Sequence, residues 1–195
     1  MNEYMKQKPD CVMLAAGESQ RMGTWKLFLP LEGKPLIEHS VGGALEACGR
    51  VILVTGHRND ELERLFSGVT GVTAVHNPAY REGMFSSIRT GVAQVETQRF
   101  FIALGDMPSV GKEVYETLLS YENVPAVIPK YRGKKGHPVL LSLPVREIIL
   151  SLGPRHTMRD ALSEVETLAV PVEHRSVLVD IDEEKDYENL ISKEQ

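Results

Sequence analysis

Short apolar runs, each closed by a loop and followed by an amphipathic segment, recur along the first half of this chain. They restrict its fold more than any other feature. The runs are Cys11 to Ala15, Val51 to Val54, Val72 to Val75 and Phe100 to Leu104. Between them, Pro35 to Cys48 places Leu36, Ile37, Val41, Ala44, Leu45 and Cys48 on one helical face. Gly42 and Gly43 weaken that helix, since each glycine costs ~1 kcal/mol against alanine. Asn59 or Asp60 caps a helix through Phe66, Ser86 or Ser87 caps one to Val95, and another covers Lys112 to Tyr121. A strand–loop–helix unit repeated in this way predicts a parallel sheet covered on both faces.

The pattern changes after Ala126. Two runs, Ala126 to Ile128 and Val139 to Leu141, flank the basic, glycine-containing stretch Tyr131 to His137, which reads as a hairpin or a pair of edge strands. Helices follow near Pro144 to Leu150 and Thr157 to Leu162. Leu168 to Val172 and Val177 to Ile181 read as strands, and Asp182 to Ile191 as a closing helix. The expected fold is α/β, a doubly wound, mostly parallel Rossmann-like sheet with a small antiparallel element. Residues 1–9 are expected to be a polar, flexible arm and residues 10–195 a single domain.

Composition narrows the function classes. A net charge of −5 is not the basic balance of a general nucleic-acid binder. No apolar run approaches the ~20 residues that span a bilayer, and the first ten residues lack the apolar core of a signal peptide. Two cysteines, Cys11 and Cys48, make neither a disulfide framework nor a zinc set and read as buried thiols. These features predict a cytoplasmic protein with no nucleic-acid or membrane partner.

Ligands on such sheets bind beyond the carboxyl ends of the strands. The loop after the first run, Leu14-Ala15-Ala16-Gly17-Glu18-Ser19-Gln20-Arg21-Met22-Gly23-Thr24-Trp25-Lys26, has small residues that let backbone amides approach an anion, with Arg21 and Lys26 as cations. It is neither a Walker A loop nor Gly-x-Gly-x-x-Gly. Asp106 follows the fourth run, and Asp180 and Asp182 share one face of an extended segment.

The loop resembles the signature of the nucleotidyltransferase superfamily that contains the molybdenum cofactor cytidylyl- and guanylyltransferases. Gly33-Lys34-Pro35-Leu36, Val54-Thr55-Gly56-His57, Asn77-Pro78 with Tyr80, Gly83 to Gly91, Leu104 to Pro108, Gly136-His137-Pro138 and Asp180-Ile181-Asp182 continue the resemblance in order, from about Val12 to Leu190. It is closest to the cytidylyltransferase subgroup, which includes accessory proteins of molybdenum hydroxylases. The resemblance implies a fold of the nucleotide-diphospho-sugar transferase type and roles at matching positions. Leu14, Ala15, Ala16, Gly17, Arg21 and Lys26 would hold the nucleotide, with Gly56, Ser86, Ser87 and Arg89. Lys26, Arg21 and Asp106 would be catalytic. Asp106 and Asp182 would bind Mg²⁺, or Mn²⁺ in its place. Gly136, His137 and Pro138 would line the acceptor pocket. One stretch departs from the subgroup: where it carries Gly-Asp-x-Gly-Ala-Arg, this chain has Gly153-Pro154-Arg155-His156-Thr157-Met158-Arg159.

The chemistry implied is attack of an acceptor phosphate on the α-phosphorus of a nucleoside triphosphate, with pyrophosphate leaving. A phosphate monoester is mostly dianionic at pH 7, with second pKa ~6, so positioning and charge neutralisation outweigh base catalysis. The expected substrates are CTP and molybdenum cofactor, with the apoenzyme of a molybdenum hydroxylase as protein partner. Ala15-Ala16-Gly17 resembles the cytidylyl version of the loop, where guanylyl versions read Ala-Gly-Gly. A methyl at position 16 crowds a purine more, a preference worth ~1–3 kcal/mol. Three alternatives stand beside this reading: GTP as the nucleotide, another phosphorylated acceptor, and a non-catalytic carrier of the cofactor.

Overall fold

A computed structural model describes residues 7–19 and 24–192. The strands are β1 (Asp10–Ala15), β2 (Pro30–Leu31), β3 (Lys34–Pro35), β4 (Arg50–Thr55), β5 (Val72–His76), β6 (Arg99–Leu104), β7 (Ala126–Tyr131), β8 (Lys134–Lys135), β9 (Val139–Ser142) and β10 (Thr167–Pro171). The helices are α1 (Leu36–Ala47), α2 (Asn59–Phe66), α3 (Met84–Val92), α4 (Lys112–Leu119), α5 (Leu143–Ser151), α6 (Met158–Ser163) and α7 (Glu184–Ile191). Eight strands form one sheet in the order β10-β7-β9-β6-β1-β4-β5, with β8 on β7, while β2 and β3 pair separately. β1, β4, β5 and β6 run parallel, β9 is antiparallel to both β6 and β7, and β10 is parallel to β7.

Alternation along the central strands explains the layers. Cys11, Met13, Val51, Leu53, Phe101 and Ala103 face one side and pack on Ile37, Val41 and Ala44 of α1, Leu62 of α2 and Val114 and Leu118 of α4. Val12, Ile52, Val54, Phe100 and Ile102 face the other and pack on Phe85, Ile88 and Val92 of α3 and Val145 and Ile149 of α5. Both faces are therefore dry, and the strands read as continuous apolar runs. Cys11 and Cys48 are free, buried thiols. No helix among the described residues is long and apolar enough to cross a membrane.

Four features differ from expectation. β7 and β9 pair antiparallel, as a hairpin would, but they are interior strands and not edge strands, and the tight turn within this stretch joins β7 to β8 through Arg132 and Gly133 at positive φ. Val177 to Ile181 is not a strand: a 3₁₀ turn covers Arg175–Leu178, and the extended residues after it make single ties. His137 N–H donates to the Val177 carbonyl at 2.9 Å and Ile181 N–H to the Asp106 carbonyl at 3.0 Å, so their backbone groups serve the neighbouring loops, not a ladder. α3 begins at Met84 with Gly83 as its cap, and α2 at Asn59 with Arg58 at φ 52° as its cap, so the cap positions precede the serines and Asn59. Residues 1–6 of the expected arm lie outside the described residues. Just beyond them, Gly49 N–H donates to the Pro9 carbonyl at 3.0 Å and Lys8 Nζ to the Glu46 carbonyl at 3.1 Å.

The two α1 glycines are not equivalent. A Cβ on Gly43 would sit 2.4 Å from the Val110 carbonyl oxygen, whereas one on Gly42 meets nothing within 4 Å. Gly43 thus admits the backbone that follows β6, and Ser40 Oγ, one turn earlier, donates to the Gly105 carbonyl at 2.9 Å. Gly42→Ala is expected to stabilise the fold by about 0.5–1 kcal/mol. Gly43→Ala is expected to destabilise it by about 1–3 kcal/mol, because a carbonyl cannot yield as a side chain can. Urea midpoints for the two variants check the opposite signs.

Candidate active site

The site lies where the strand order reverses. β1 is flanked by β4 on one side and β6 on the other, so the loops leaving β1 and β6 diverge and open a crevice beyond their carboxyl ends. A cleft of about 810 Å³ occupies this position, with Leu14 to Ser19 and Lys26 on one wall, Tyr80, Arg81, Met84 and Ser87 on another, and Asp106, Asp180 and Asp182 at the floor.

Lys26 binds both floor carboxylates. Its Nζ lies 2.5 Å from Asp106 Oδ2 and 2.8 Å from Asp182 Oδ1. Burial alone would pull its pKa down, but Asp106 and then Asp182 outweigh this and raise it, so the ammonium stays charged. The Ile181–Asp106 backbone hydrogen bond carries the C-terminal segment onto the end of β6, and the Asp182 amide donates to Asp186 Oδ2 at 3.2 Å. Burial, with the charges of Asp106 and Asp182, raises the pKa of Asp180.

Asp106 Oδ1 is buried without a hydrogen-bond partner. An orphaned carboxylate oxygen is costly unless something positive meets it. Among the described residues no three His, Cys, Asp or Glu side chains form a metal cage. A cation here would rest on two carboxylates and on oxygens of its ligand, which is how Mg²⁺ and similar hard ions bind beside phosphates.

Trp25 and Asn77 shape the walls. Trp25 is buried and its indole N–H donates to the Gly17 carbonyl at 3.2 Å. Its ring stacks on Phe28 at 4.7 Å, meets His57 edge-on and lies under the Arg58 guanidinium, also at 4.7 Å. Lys26 N–H donates to Ser19 Oγ at 3.3 Å, and His57 N–H to the Ala16 carbonyl at 3.2 Å. The loop is thus tied at Ala16, Gly17 and Ser19. Asn77, 2 % exposed, donates to Ser86 Oγ at 2.9 Å and Ser87 Oγ at 3.0 Å. It binds the first turn of α3 to the end of β5.

Most of the residues singled out from the sequence converge here: Leu14, Ala15, Ala16, Gly17, Lys26, Ser87, Asp106 and Asp182 line the cleft. Arg21 lies outside the described residues. Gly56, Ser86 and Arg89 are absent from the lining. Gly56 is wedged behind the loop, where a Cβ would come within 2.8 Å of Ala16 Cβ and 2.7 Å of Tyr80. Ser86 Oγ turns to the Ala79 and Gly83 carbonyls, and Arg89 has its Nε buried without a partner. Gly136, His137 and Pro138 do not reach the cleft. His137 and Pro138 border a small recess with Ser40, Met107 and Tyr115, and Gly136 gives way to the Val177 carbonyl, 2.0 Å from where its Cβ would be. Burial lowers the pKa of His137 despite Asp106 and Asp180, which favours the neutral ring at pH 7. Gly153 to Arg159 form an exposed turn and the start of α6, capped by Thr157 and Asp160, and line no part of the cleft. Tyr80, Arg81 and Met84 line it without having been named one by one as site residues from the sequence, although all three fall in the loop from His76 to Ser87 that follows the third run and Met84 lies in the Gly83 to Gly91 motif.

A small-residue loop facing an acidic floor at a parallel-sheet switch point is the arrangement of a nucleotide-handling α/β enzyme. The profile of the MobA-like NTP transferase domain matches residues 11–170. The molybdenum cofactor cytidylyltransferase of Escherichia coli K12 is 35% identical over 178 residues, covering 91% of this chain and 93% of that protein. Among solved structures, a nucleotidyl transferase from Methanothermobacter thermautotrophicus superposes with TM-score 0.82 at 26% identity, covering 94% of this chain and 96% of the other. A Mycobacterium tuberculosis H37Rv protein solved in complex with manganese superposes with TM-score 0.75 at 21% identity, covering 94% and 97%. The chain belongs to the MobA-like NTP transferase family and is a nucleotidyltransferase.

Trp25→Phe keeps the ring stack and removes the N–H that holds Gly17. Loss of one such bond, about 0.5–1.5 kcal/mol, is expected to weaken nucleotide binding roughly three- to tenfold with little change in melting temperature. Calorimetric titration with nucleotide checks this, and an unchanged Kd would mean that the indole only fills space.

Proposed function

We propose that this enzyme transfers CMP from CTP to the terminal phosphate of molybdenum cofactor and releases pyrophosphate. The observation that carries the reading is Lys26 held between Asp106 and Asp182 on the floor of the switch-point cleft, and the likeness to the E. coli cytidylyltransferase supports the choice of substrates. An oxygen of the acceptor phosphate forms the new bond to the α-phosphorus. The bond from that phosphorus to the bridging oxygen breaks, and the electron pair leaves with pyrophosphate. The attacking dianion needs no base, so the residues act by binding and by neutralising charge.

In this reading the loop from Leu14 to Gly17 supports base, ribose and phosphates, and Lys26 and Arg21 take the triphosphate. Ser87 lines the wall beside the base and is set by Asn77, while Gly56, Ser86 and Arg89 act from behind. Asp106 and Asp182 would hold the divalent ion, Mg²⁺ or Mn²⁺, which when bound screens the phosphate charges and polarises the reacting group. The orphaned Asp106 oxygen fits that demand. Ala16, on the cleft wall, narrows the space for a purine. Gly136 to Pro138 act on the acceptor side by fixing the segment that carries Asp180 and Asp182. Residues 10–195 work as one nucleotidyltransferase domain, in the cytoplasm, and the dinucleotide product passes to the apoenzyme of a molybdenum hydroxylase.

The test is pyrophosphate release and dinucleotide formation with CTP, GTP, ATP or UTP, with and without molybdenum cofactor. CTP is expected to be used about 5–100-fold better than GTP, the range that one methyl in a pocket provides. Asp106→Ala is expected to lower the rate about 100-fold or more. Preference for GTP would overturn the base assignment, and absence of cofactor-dependent turnover would overturn the acceptor. Binding of the cofactor without turnover would favour a carrier.

A further inference from the structure

We propose that Lys26 is the resident cation of the site and couples its two ligands: a divalent ion enters between Asp106 and Asp182 freely only when a nucleoside triphosphate takes Lys26 over. This rests on the assignment of the cleft made above and adds the linkage between metal and nucleotide.

The basis is steric and electrostatic. The ammonium lies 2.5 Å from Asp106 Oδ2 and 2.8 Å from Asp182 Oδ1. A magnesium-sized ion bridging the same carboxylates would sit ~2.0–2.1 Å from its oxygens. An ammonium and such an ion cannot share that volume, and their charges repel across it. An ion that took the unpartnered Asp106 Oδ1 instead would still face that charge across one carboxylate, so ammonium and ion disfavour each other in the site. Lys26 cannot retreat far, because its amide is tied to Ser19 Oγ and the next residue, Leu27, is buried. Only the outer part of the side chain can swing, and that side chain is 14% exposed.

Metal binding between the two carboxylates therefore costs Lys26 both of its ion pairs in a half-dry cleft, which is unfavourable. A triphosphate removes that cost by offering oxygens on the side toward which Lys26 would turn. Linkage is reciprocal, so the ion must favour nucleotide binding by the same factor. The lysine thus has two successive partners: carboxylates in the resting protein, phosphates in the loaded one. It also keeps the acidic floor from repelling the first anion to arrive.

The test reads Mn²⁺ binding, not turnover. Free Mn²⁺ is followed by electron paramagnetic resonance with wild type, Lys26→Met and the double variant Lys26→Met/Asp106→Asn. CTP is added or withheld, no acceptor is present, and the solution Mn²⁺–CTP complex is subtracted. Lys26→Gln repeats the measurement with a polar side chain should the methionine variant fail to fold. Lys26→Met is expected to bind Mn²⁺ alone about tenfold more tightly than wild type, within the usual range of coupling energies. The double variant is expected to lose that gain, and CTP to tighten Mn²⁺ binding less in Lys26→Met than in wild type. If the neutral variants bind Mn²⁺ alone no more tightly than wild type while wild type still binds Mn²⁺ and CTP together, the coupling is overturned and the site assignment stands. If wild type binds neither CTP nor Mn²⁺, or if adding Asp106→Asn to Lys26→Met leaves Mn²⁺ affinity unchanged, the site assignment falls with it.

Discussion

Pairing of β1 with β6 is the contact on which the site depends. Neither strand has a solvated face, so their register is fixed by what each residue must bury: Cys11 opposite Phe101, Val12 opposite Ile102, Met13 opposite Ala103. A slip of one position would turn Cys11 and Met13 toward α3 and Val12 toward α1. That register delivers the loop after Ala15 and the one after Leu104 to the same level. The third component arrives from the far end of the chain through one backbone hydrogen bond, Ile181 to Asp106. Lys26, Asp106 and Asp182 come from three distant stretches and meet because those constraints act together.

How much of this the sequence revealed depended on the physics behind each element. Strands buried on two faces declare themselves as apolar runs, so β1, β4 and β6 were legible to within one residue at either end, and β5, an edge strand with no fully buried residue, was legible as a β-branched run. Lateral order was not: Ala126 to Ile128 and Val139 to Leu141 read as a hairpin or a pair of edge strands, and they do pair, but nothing in either run states that β10 and β6 will flank them. Val177 to Ile181 has a strand's composition but spends its hydrogen bonds on His137 and Asp106, a long-range choice that no local pattern encodes. Ser86 has the composition of a cap, yet Gly83 holds that position and Ser86 is engaged by Asn77. In the site, the signature loop and the carboxylates stood out by type and spacing. Trp25 did not, since its contribution lies in what it touches rather than in any reactive group.

The cleft also presents an electrostatic problem. Its described lining residues include four carboxylates, Glu18, Asp106, Asp180 and Asp182, and two cations, Lys26 and Arg81. Arg81 is in turn paired with Glu18 at 2.9 Å. A nucleoside triphosphate is more negative still. Carboxylates in such number disfavour an anion unless cations arrive with it or turn toward it, and the linkage proposed above for Lys26 is one way to meet that demand. The elevated pKa of Asp180 belongs to the same crowding, since burial and two neighbouring carboxylates disfavour its charge.

Trp25 is the sole tryptophan in the chain, and it stands beside Lys26 with its N–H on the Gly17 carbonyl, a guanidinium on its face and an imidazole at its edge. Indole emission responds to nearby charge and to quenching by side chains. All tryptophan fluorescence of this protein therefore originates from the loop that lines the cleft. The fold has placed its one strong chromophore where it reports the state of the loop without any label.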